Sequence, residues 1–267
     1  MRCLRVLLDA GVQVPLVVTH RDARGERIWF ASVAELARRR GIEVLADPGT
    51  EELAPFLEAI EPDFIFSFYY RRMLPEFLLK MAKRGAFNMH GSLLPKYRGR
   101  APVNWAILHG EIETGATLHE MVAKPDAGRI VDQQRVPIGP DDLAVDVFRR
   151  VTDAAERVLK RSIQNLMDGN IVLKPQDLSA GSYFGGRRPE DGRIDWSKSA
   201  REIHNLVRAV APPYPGAFTP GFRINRTKLE DRKAPTGKLG PYQESGEWFA
   251  ACGDGKVLRL LEVIVEK

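Results

Sequence analysis

The stretch "GAFNMHGSLLPKYRGRAPVNWAILHGE", Gly85–Glu111, decides how this chain is read. Its apolar start, "AFNMH", has the length of a strand, and it runs on into a loop dense in Gly, Pro and Arg. Side chains two apart on a strand share a face, so Asn88 and His90 point the same way. In an open α/β sheet the carboxyl end of a strand faces the ligand crevice. An amide N–H₂ beside an imidazole can hold a developing oxyanion while the imidazole moves a proton, which is what acyl transfer requires. The same pair also fits a satisfied core histidine next to a turn-forming Asn, and the stretch alone does not choose between them.

Working outward, strand-like and helix-like segments alternate. "VQVPLVV" (12–18) reads as a strand and "VAELARRRG" (33–41) as a helix closed by Gly41. Leu53, Phe56, Leu57 and Ile60 repeat at helical spacing behind the acidic first turn of Glu51 and Glu52. "DFIFSF" (63–68) reads as a buried strand, and Pro75 opens a third helix at its first position, ended by Gly85. Downstream, "ATLHEMV" (116–122) and "GRIVDQQRVPI" (128–138) are strands flanking a Lys124–Gly128 turn. Leu143, Val147, Val151, Ala154 and Val158 then mark a long helix to about Leu166. This alternation predicts an α/β domain over 1–169 with a doubly wound, mostly parallel sheet.

Between 170 and 197 the periodicity fades into Pro, Gly, Ser and charge, which predicts a linker. Residues 198–267 open with the helix "SAREIHNLVRAV" (199–210), carrying a capping box of Ser199 and Glu202 and stopped by Pro212 and Pro213. Short β-like runs follow, such as "EWFAACGDGKVLRLLEVIV", so the remainder is expected to be a small, mostly β domain of OB-like character.

Composition narrows the function. The chain has 267 residues, enough for one large domain or two smaller ones. No run of eighteen apolar residues exists and the N-terminus lacks an apolar signal core, so a cytoplasmic protein with no membrane partner is expected. Cys3, Cys252 and five scattered histidines make no metal-ligand spacing, so no metal is expected. A net charge of +5 suits an anionic substrate and equally suits an ordinary solvated surface. Dinucleotide, P-loop and serine-hydrolase motifs are absent from the sequence.

Other chemistry-bearing residues carry two readings each. Asp126, in "VAKPDAGRI", is locally a turn residue; beside His90 it would raise the imidazole's pKa and fix its tautomer. Arg98 and Arg100 can grip a carboxylate or a pyrophosphate, or simply be solvated. Tyr69, Tyr70 and Trp105 can flank a planar ring of a ligand, or pack in the core. Arg187 and Arg188 can reach an anionic group or keep a loop soluble. His119, at an alternating strand position, is expected to be structural, and His109 and His204 lie on helix faces with no partner evident from sequence.

The stretch "FNMHGSLLPKYRGRAPVNWAILHGEIETGATLHEMVAKPDAGRI" resembles the signature of the folate-dependent formyltransferases, Asn-x-His-x-Ser-Leu-Leu-Pro with a downstream Asp-x-Gly. The segments "KYRGRAPVNW", "FSFYYRR", "SYFGGRRPEDGRIDW" and "HNLVRAVAPPYPGAF" are most similar to the branch that formylates UDP-4-amino-4-deoxy-L-arabinose, an activity tied to lipid A modification and polymyxin resistance. The likeness runs nearly end to end and is weakest after about Thr219. It implies a Rossmann-like formyltransferase fold and a catalytic trio: Asn88 to stabilise the transition state, His90 to donate the proton and Asp126 to raise the pKa of His90. It also implies that 10-formyltetrahydrofolate is held by Arg72, Met73, Leu74, Arg100, Val122, Ala123, Lys124, Pro125 and Asp126. The partners expected are this folate and a nucleotide-linked amino sugar. The alternative within the family is methionyl-tRNA as acceptor, against which the modest charge argues, because neutralising tRNA phosphates takes an extensive basic surface.

One segment departs from that pattern. "MRCLRVLLDAG" has Leu4, Leu7 and Leu8 at helical spacing and ends in Gly11, so it reads as a helix where the family begins with a central strand. The expectation is that this strand lies upstream of Met1 in the natural protein.

Overall fold

The computed structural model describes residues 1–22 and 28–265. The chain divides into two compact units that alternate along the sequence: Met1–Gly99, Gly115–Arg135 and Val151–Tyr183 form the first, and Arg100–Thr114, Val136–Arg150 and the residues from Phe184 onward form the second.

The first unit opens with α1 (Arg2–Asp9), which buries Cys3, Leu4, Val6 and Leu7 on one face and hands over at Gly11, whose φ of 77° is open to glycine. Arg2 pins this helix to Asp153 and Glu156. Strand β1 (Leu16–Thr19) is followed by α2 (Val33–Arg39), capped by Ser32 Oγ accepting the Glu35 amide at 3.2 Å, and by β2 (Glu43–Ala46), which pairs parallel with β1. Helix α3 (Thr50–Ile60) ends where Glu61 turns left-handed at φ 47°.

Strand β3 (Phe64–Phe68) leads into α4 (Glu76–Leu79), and β4 (Gly85–His90) runs parallel to β3, with Ser67 opposite Asn88. The third helix is a single turn with Pro75 as its N-cap, so it starts one residue later and stops earlier than the Pro–Gly punctuation suggested. The polypeptide then forms β5 (Arg98–Gly99), α5 (Pro102–Leu108), β6 (Glu113–Glu120) and β7 (Ile130–Pro137). Strand β6 is antiparallel to β4 and sets Asn88 opposite His119 and His90 opposite Thr117. The long α6 (Ala144–Asp168) buries Val147, Val151, Ala154, Val158 and Leu159 completely.

The strands of this unit form two sheets, β1–β2 and β3–β4–β6–β7. Among the described residues β1 and β3 each pair on one edge only. That accounts for β3: "DFIFSF" was expected to be fully buried, yet every residue from Phe64 to Phe68 is half-buried, because a strand without a neighbour on one side keeps part of its surface in water.

The segment expected as a linker carries structure of its own. It holds β8 (Tyr183–Phe184) and two 3₁₀ turns, Leu178–Ala180 and Pro189–Gly192.

In the second unit, α7 (Ala200–Val210) has the predicted capping box, with Glu202 N–H on Ser199 Oγ at 3.3 Å and Ser199 N–H on Glu202 Oε2 at 2.9 Å. Its inner face buries Ile203, Val207 and Val210. A five-stranded antiparallel sheet in the order β11–β12–β13–β10–β9 follows, made of β9 (Ala217–Thr219), β10 (Phe222–Lys233), β11 (Gly240–Glu244), β12 (Glu247–Ala251) and β13 (Lys256–Val265). Among the described residues no helix is long and apolar enough to cross a membrane.

Candidate active site

The first unit gathers four polar side chains on one face of β4 and β6. Asn88 and His90 share that face as alternate residues of β4, and the antiparallel register adds His119 directly opposite Asn88. Asp126 comes from the turn between β6 and β7, in left-handed backbone at φ 52°. Its Oδ1 lies 3.5 Å from His90 Nδ1, 3.4 Å from His119 Nε2 and 3.4 Å from Asn88 Nδ2. Its Oδ2 accepts the Gly99 amide at 2.8 Å.

Carbonyls orient both imidazoles. His90 Nε2 is 2.8 Å from the Tyr97 carbonyl, which can only accept, so that nitrogen carries the proton and Nδ1 turns its lone pair to Asp126 in the neutral ring. His119 Nδ1 donates to the Glu120 carbonyl at 2.6 Å, leaving Nε2 to accept from Asn88 Nδ2 at 3.2 Å. Both amide hydrogens of Asn88 are thereby turned to His119 and Asp126. The longer of these contacts, at 3.4 Å to Asp126, is the one an incoming oxygen can take most easily.

The electrostatics follow from burial. His90 is 6 % exposed, and desolvation pushes its pKa below the ordinary imidazole value; Asp126 and the Tyr97 carbonyl push it up but do not prevail, and His119 lowers it further. The sequence anticipated the upward push from Asp126 but not the larger effect of burial. For Asp126, burial pushes the pKa up, but His119, His90 and the Gly99 amide outweigh it and hold the carboxyl at about 2. Asp126 is therefore a carboxylate at neutral pH, facing an imidazole that rests neutral.

The Asp-x-Gly turn is built to hold this carboxylate. A Cβ on Gly128 would run into the carbonyl of Glu120, so only glycine lets the turn close. Gln176 donates to the carbonyls of Asp126 at 3.1 Å and Gly128 at 2.5 Å. Sequence reasoning missed Gln176, which sits in the stretch read as linker, and His119. The signal for His119 was its same-face alternation, which needed the β4–β6 register to become informative.

The residues expected at the folate spread over both units. Arg72 bonds Asp47 Oδ1 at 3.2 Å and the Pro48 carbonyl at 3.1 Å, and Met73 and Val122 are 61 % and 40 % exposed, surface that an apolar ring can cover. Ala123 and Lys124 are exposed, and Leu74 and Pro125 are half-buried. Arg98 is buried, and its Nε has no hydrogen-bond partner among the described residues. Arg100 belongs to the second unit, where it lines a cavity with Arg187 and Arg188.

Trp105 is not a bare platform for a base. Its ring stacks on Phe184 at 4.9 Å and its indole N–H donates to the Gly185 carbonyl at 3.0 Å. His109 packs against the same two rings. His204 lies 2.9 Å from Thr227 Oγ1 and donates to the Pro140 carbonyl at 3.0 Å. Among the described residues no group of three or more His, Cys, Asp or Glu is arranged to hold a metal ion.

Comparison with known proteins places this geometry in context. Residues 10–163 match the family described as Formyl transferase, and residues 187–267 match Formyl transferase, C-terminal domain. Among solved structures, the N-formyltransferase from Helicobacter canadensis in complex with folinic acid and dTDP-3-aminofucose is 25 % identical, with a TM-score of 0.78 over 97 % of this chain and 94 % of that one. WlaRD, a sugar 3N-formyl transferase solved with dTDP and 5-N-formyl-THF, is 24 % identical with a TM-score of 0.77 over 97 % and 92 %. A sugar N-formyltransferase from Shewanella sp FDAARGOS_354 shares the fold at 18 % identity, with a TM-score of 0.63 over 100 % and 94 %.

Proposed function

Because the chain belongs to the formyl transferase family, we propose that it transfers a formyl group from 10-formyltetrahydrofolate to the amine of a nucleotide-linked amino sugar, with UDP-4-amino-4-deoxy-L-arabinose as the acceptor. The observation that carries this reading is the cluster of Asn88, His90 and Asp126 within 3.5 Å contacts on one strand face. The sugar-formylating relatives support a nucleotide-linked acceptor, and the sequence resemblance supports the arabinose.

In this reading the uncharged amine attacks the formyl carbon. A C–N bond forms, the C=O π pair moves onto oxygen, and an Asn88 N–H meets that charge. The attacking nitrogen becomes cationic and sheds a proton to His90, which burial keeps neutral at rest. Asp126, already ionised, stabilises the imidazolium so formed. The intermediate then collapses: the oxygen pair re-forms C=O, His90 returns its proton to the folate nitrogen, and the C–N bond to the folate breaks. Arg72, Met73, Leu74, Arg100 and Val122 to Asp126 are assigned to the folate by family likeness.

The test is to offer the purified protein and 10-formyltetrahydrofolate a panel of UDP- and dTDP-linked amino sugars and methionyl-tRNA in parallel. The arabinose nucleotide should be formylated and the tRNA should not. Robust turnover of methionyl-tRNA without turnover of any sugar would reverse the assignment.

A further inference from the structure

The second unit holds a cavity of about 260 Å³ whose wall includes Arg100, Arg187, Arg188, Asn104 and Tyr214 and no carboxylate side chain. Pockets that enclose a whole drug-sized ligand run to about 300–1,000 Å³, so this one suits part of a ligand. Three arginines at a wall without acids suit a small, highly charged anion.

Among the described residues none of the three arginines forms an ion pair with a carboxylate, whereas most of the ion pairs elsewhere in the chain use arginine. Arg187 is half-buried: its guanidinium lies 4.7 Å from the Trp105 ring centroid, and Nη2 donates to the Asp191 carbonyl at 3.0 Å. The Asp191 carboxylate is turned instead to the Arg188 amide, at 2.7 Å. Burial accordingly pushes the Arg187 pKa down, with Asp191 opposing only in part. A partly desolvated cation held by a π face and one carbonyl is costly unless a ligand supplies the missing charge. Gly186 allows the approach, since a Cβ there would come 3.2 Å from the Arg100 guanidinium.

We propose that this cavity binds the diphosphate of the nucleotide-linked acceptor, with Arg187 and Arg188 as the residues that grip it. The assignment rests on the function proposed above. The folate's glutamate is the other anion available to the enzyme. The diphosphate is favoured because its adjoining phosphates present several oxygens to the guanidinium-bearing residues that line one small cavity.

The test measures UDP and folinic acid binding separately by calorimetry, on the wild-type chain and on Arg187→Ala, Arg188→Ala, the double variant and Arg187→Lys. Each alanine should weaken UDP about tenfold or more, as loss of a charge-assisted hydrogen bond does, while folinic acid affinity stays within about twofold. Retained folinic acid binding also shows that the variants are folded. Arg187→Lys should recover part of the UDP affinity. The acceptor's KM should rise in the alanine variants while the KM for 10-formyltetrahydrofolate does not.

UDP affinity unchanged in the double variant overturns the proposal, and so does loss of folinic acid binding in place of UDP binding, which would give the cavity to the glutamate. If the wild-type chain formylates no nucleotide-linked amino sugar, the parent reading fails instead, and that is seen before any variant is made.

Discussion

The amide of Gly99 donates to Oδ2 of Asp126 at 2.8 Å, which leaves Oδ1 as the oxygen that meets His90, His119 and Asn88. A carboxylate tethered in this way cannot rotate to present either oxygen equally. It holds negative charge at one point between two imidazoles, where it would stabilise an imidazolium formed during the proposed reaction.

Asp126→Asn should preserve the fold and remove most of the activity. The amide can still accept from Gly99 but carries no charge, so His90 loses its main electrostatic support. A kcat loss of roughly 10²–10⁴-fold is expected, and His90→Ala should show a similar loss that does not multiply in the double variant. Steady-state kinetics with circular dichroism check both; either variant retaining about a tenth of wild-type kcat would refute the paired role.

Asn88→Ala should lower kcat by roughly 10²–10³-fold with a smaller effect on folate affinity, because the amide is assigned to charge that develops only during reaction. Equal loss in kcat and in folinic acid binding would make Asn88 a binding residue instead.

His119→Asn tests the member of the cluster that sequence left out. His119 lowers the proton affinity of His90, so its removal should move the His90 titration upward, measurable by NMR of the imidazole resonances. A merely structural His119 would lower the melting temperature and leave that titration where it was.

Stability should fall as the solution is acidified from neutrality. His90 and His204 both have folded pKa values below 6.5 because they are buried. As pH drops through 6.5 the unfolded chain takes up protons that the native chain refuses, so the unfolded state gains. Asp126 adds a later loss: its folded pKa of about 2 lies below the ordinary 3.8, so its contribution is present above 3.8 and disappears as pH falls toward 2. Thermal melts between about pH 7.5 and pH 5 should show a declining Tm. A flat profile would mean that neither histidine is buried as described.

Gln176→Ala should loosen the Asp126 turn without touching a reacting group. Both carbonyls it serves lose a donor, and kcat should drop several-fold with little change in KM for the acceptor. A change in acceptor KM alone would place Gln176 in substrate binding.

Short-range physics made much of this protein legible in its sequence. The spacing of Leu4 and Leu7 predicts α1, Ser199 and Glu202 cap α7 as their types dictate, and the two-residue interval of Asn88 and His90 puts them on one face of β4 whatever surrounds it. The family's signature motif lies in one contiguous stretch that includes this pair. What the residues alone left open were relations across distance. Asp126 lies 38 positions from Asn88, and only the return of the β6–β7 turn over the strand ends brings the two together. His119 joins the site because β6 pairs antiparallel to β4 in one register, and a slip of a single residue would have turned it to the other face. The length and burial of elements depended on neighbours in the same way: β3 is half-exposed because one edge is unpaired, and α4 stops after a turn despite its Pro and Gly signals. The arginine cavity draws its wall from stretches around Arg100, Arg187 and Tyr214, which no local pattern relates. Periodicity and capping act within a few residues along the chain, whereas a site is assembled by loop closure and strand register, and those were decided by the packing of the whole unit.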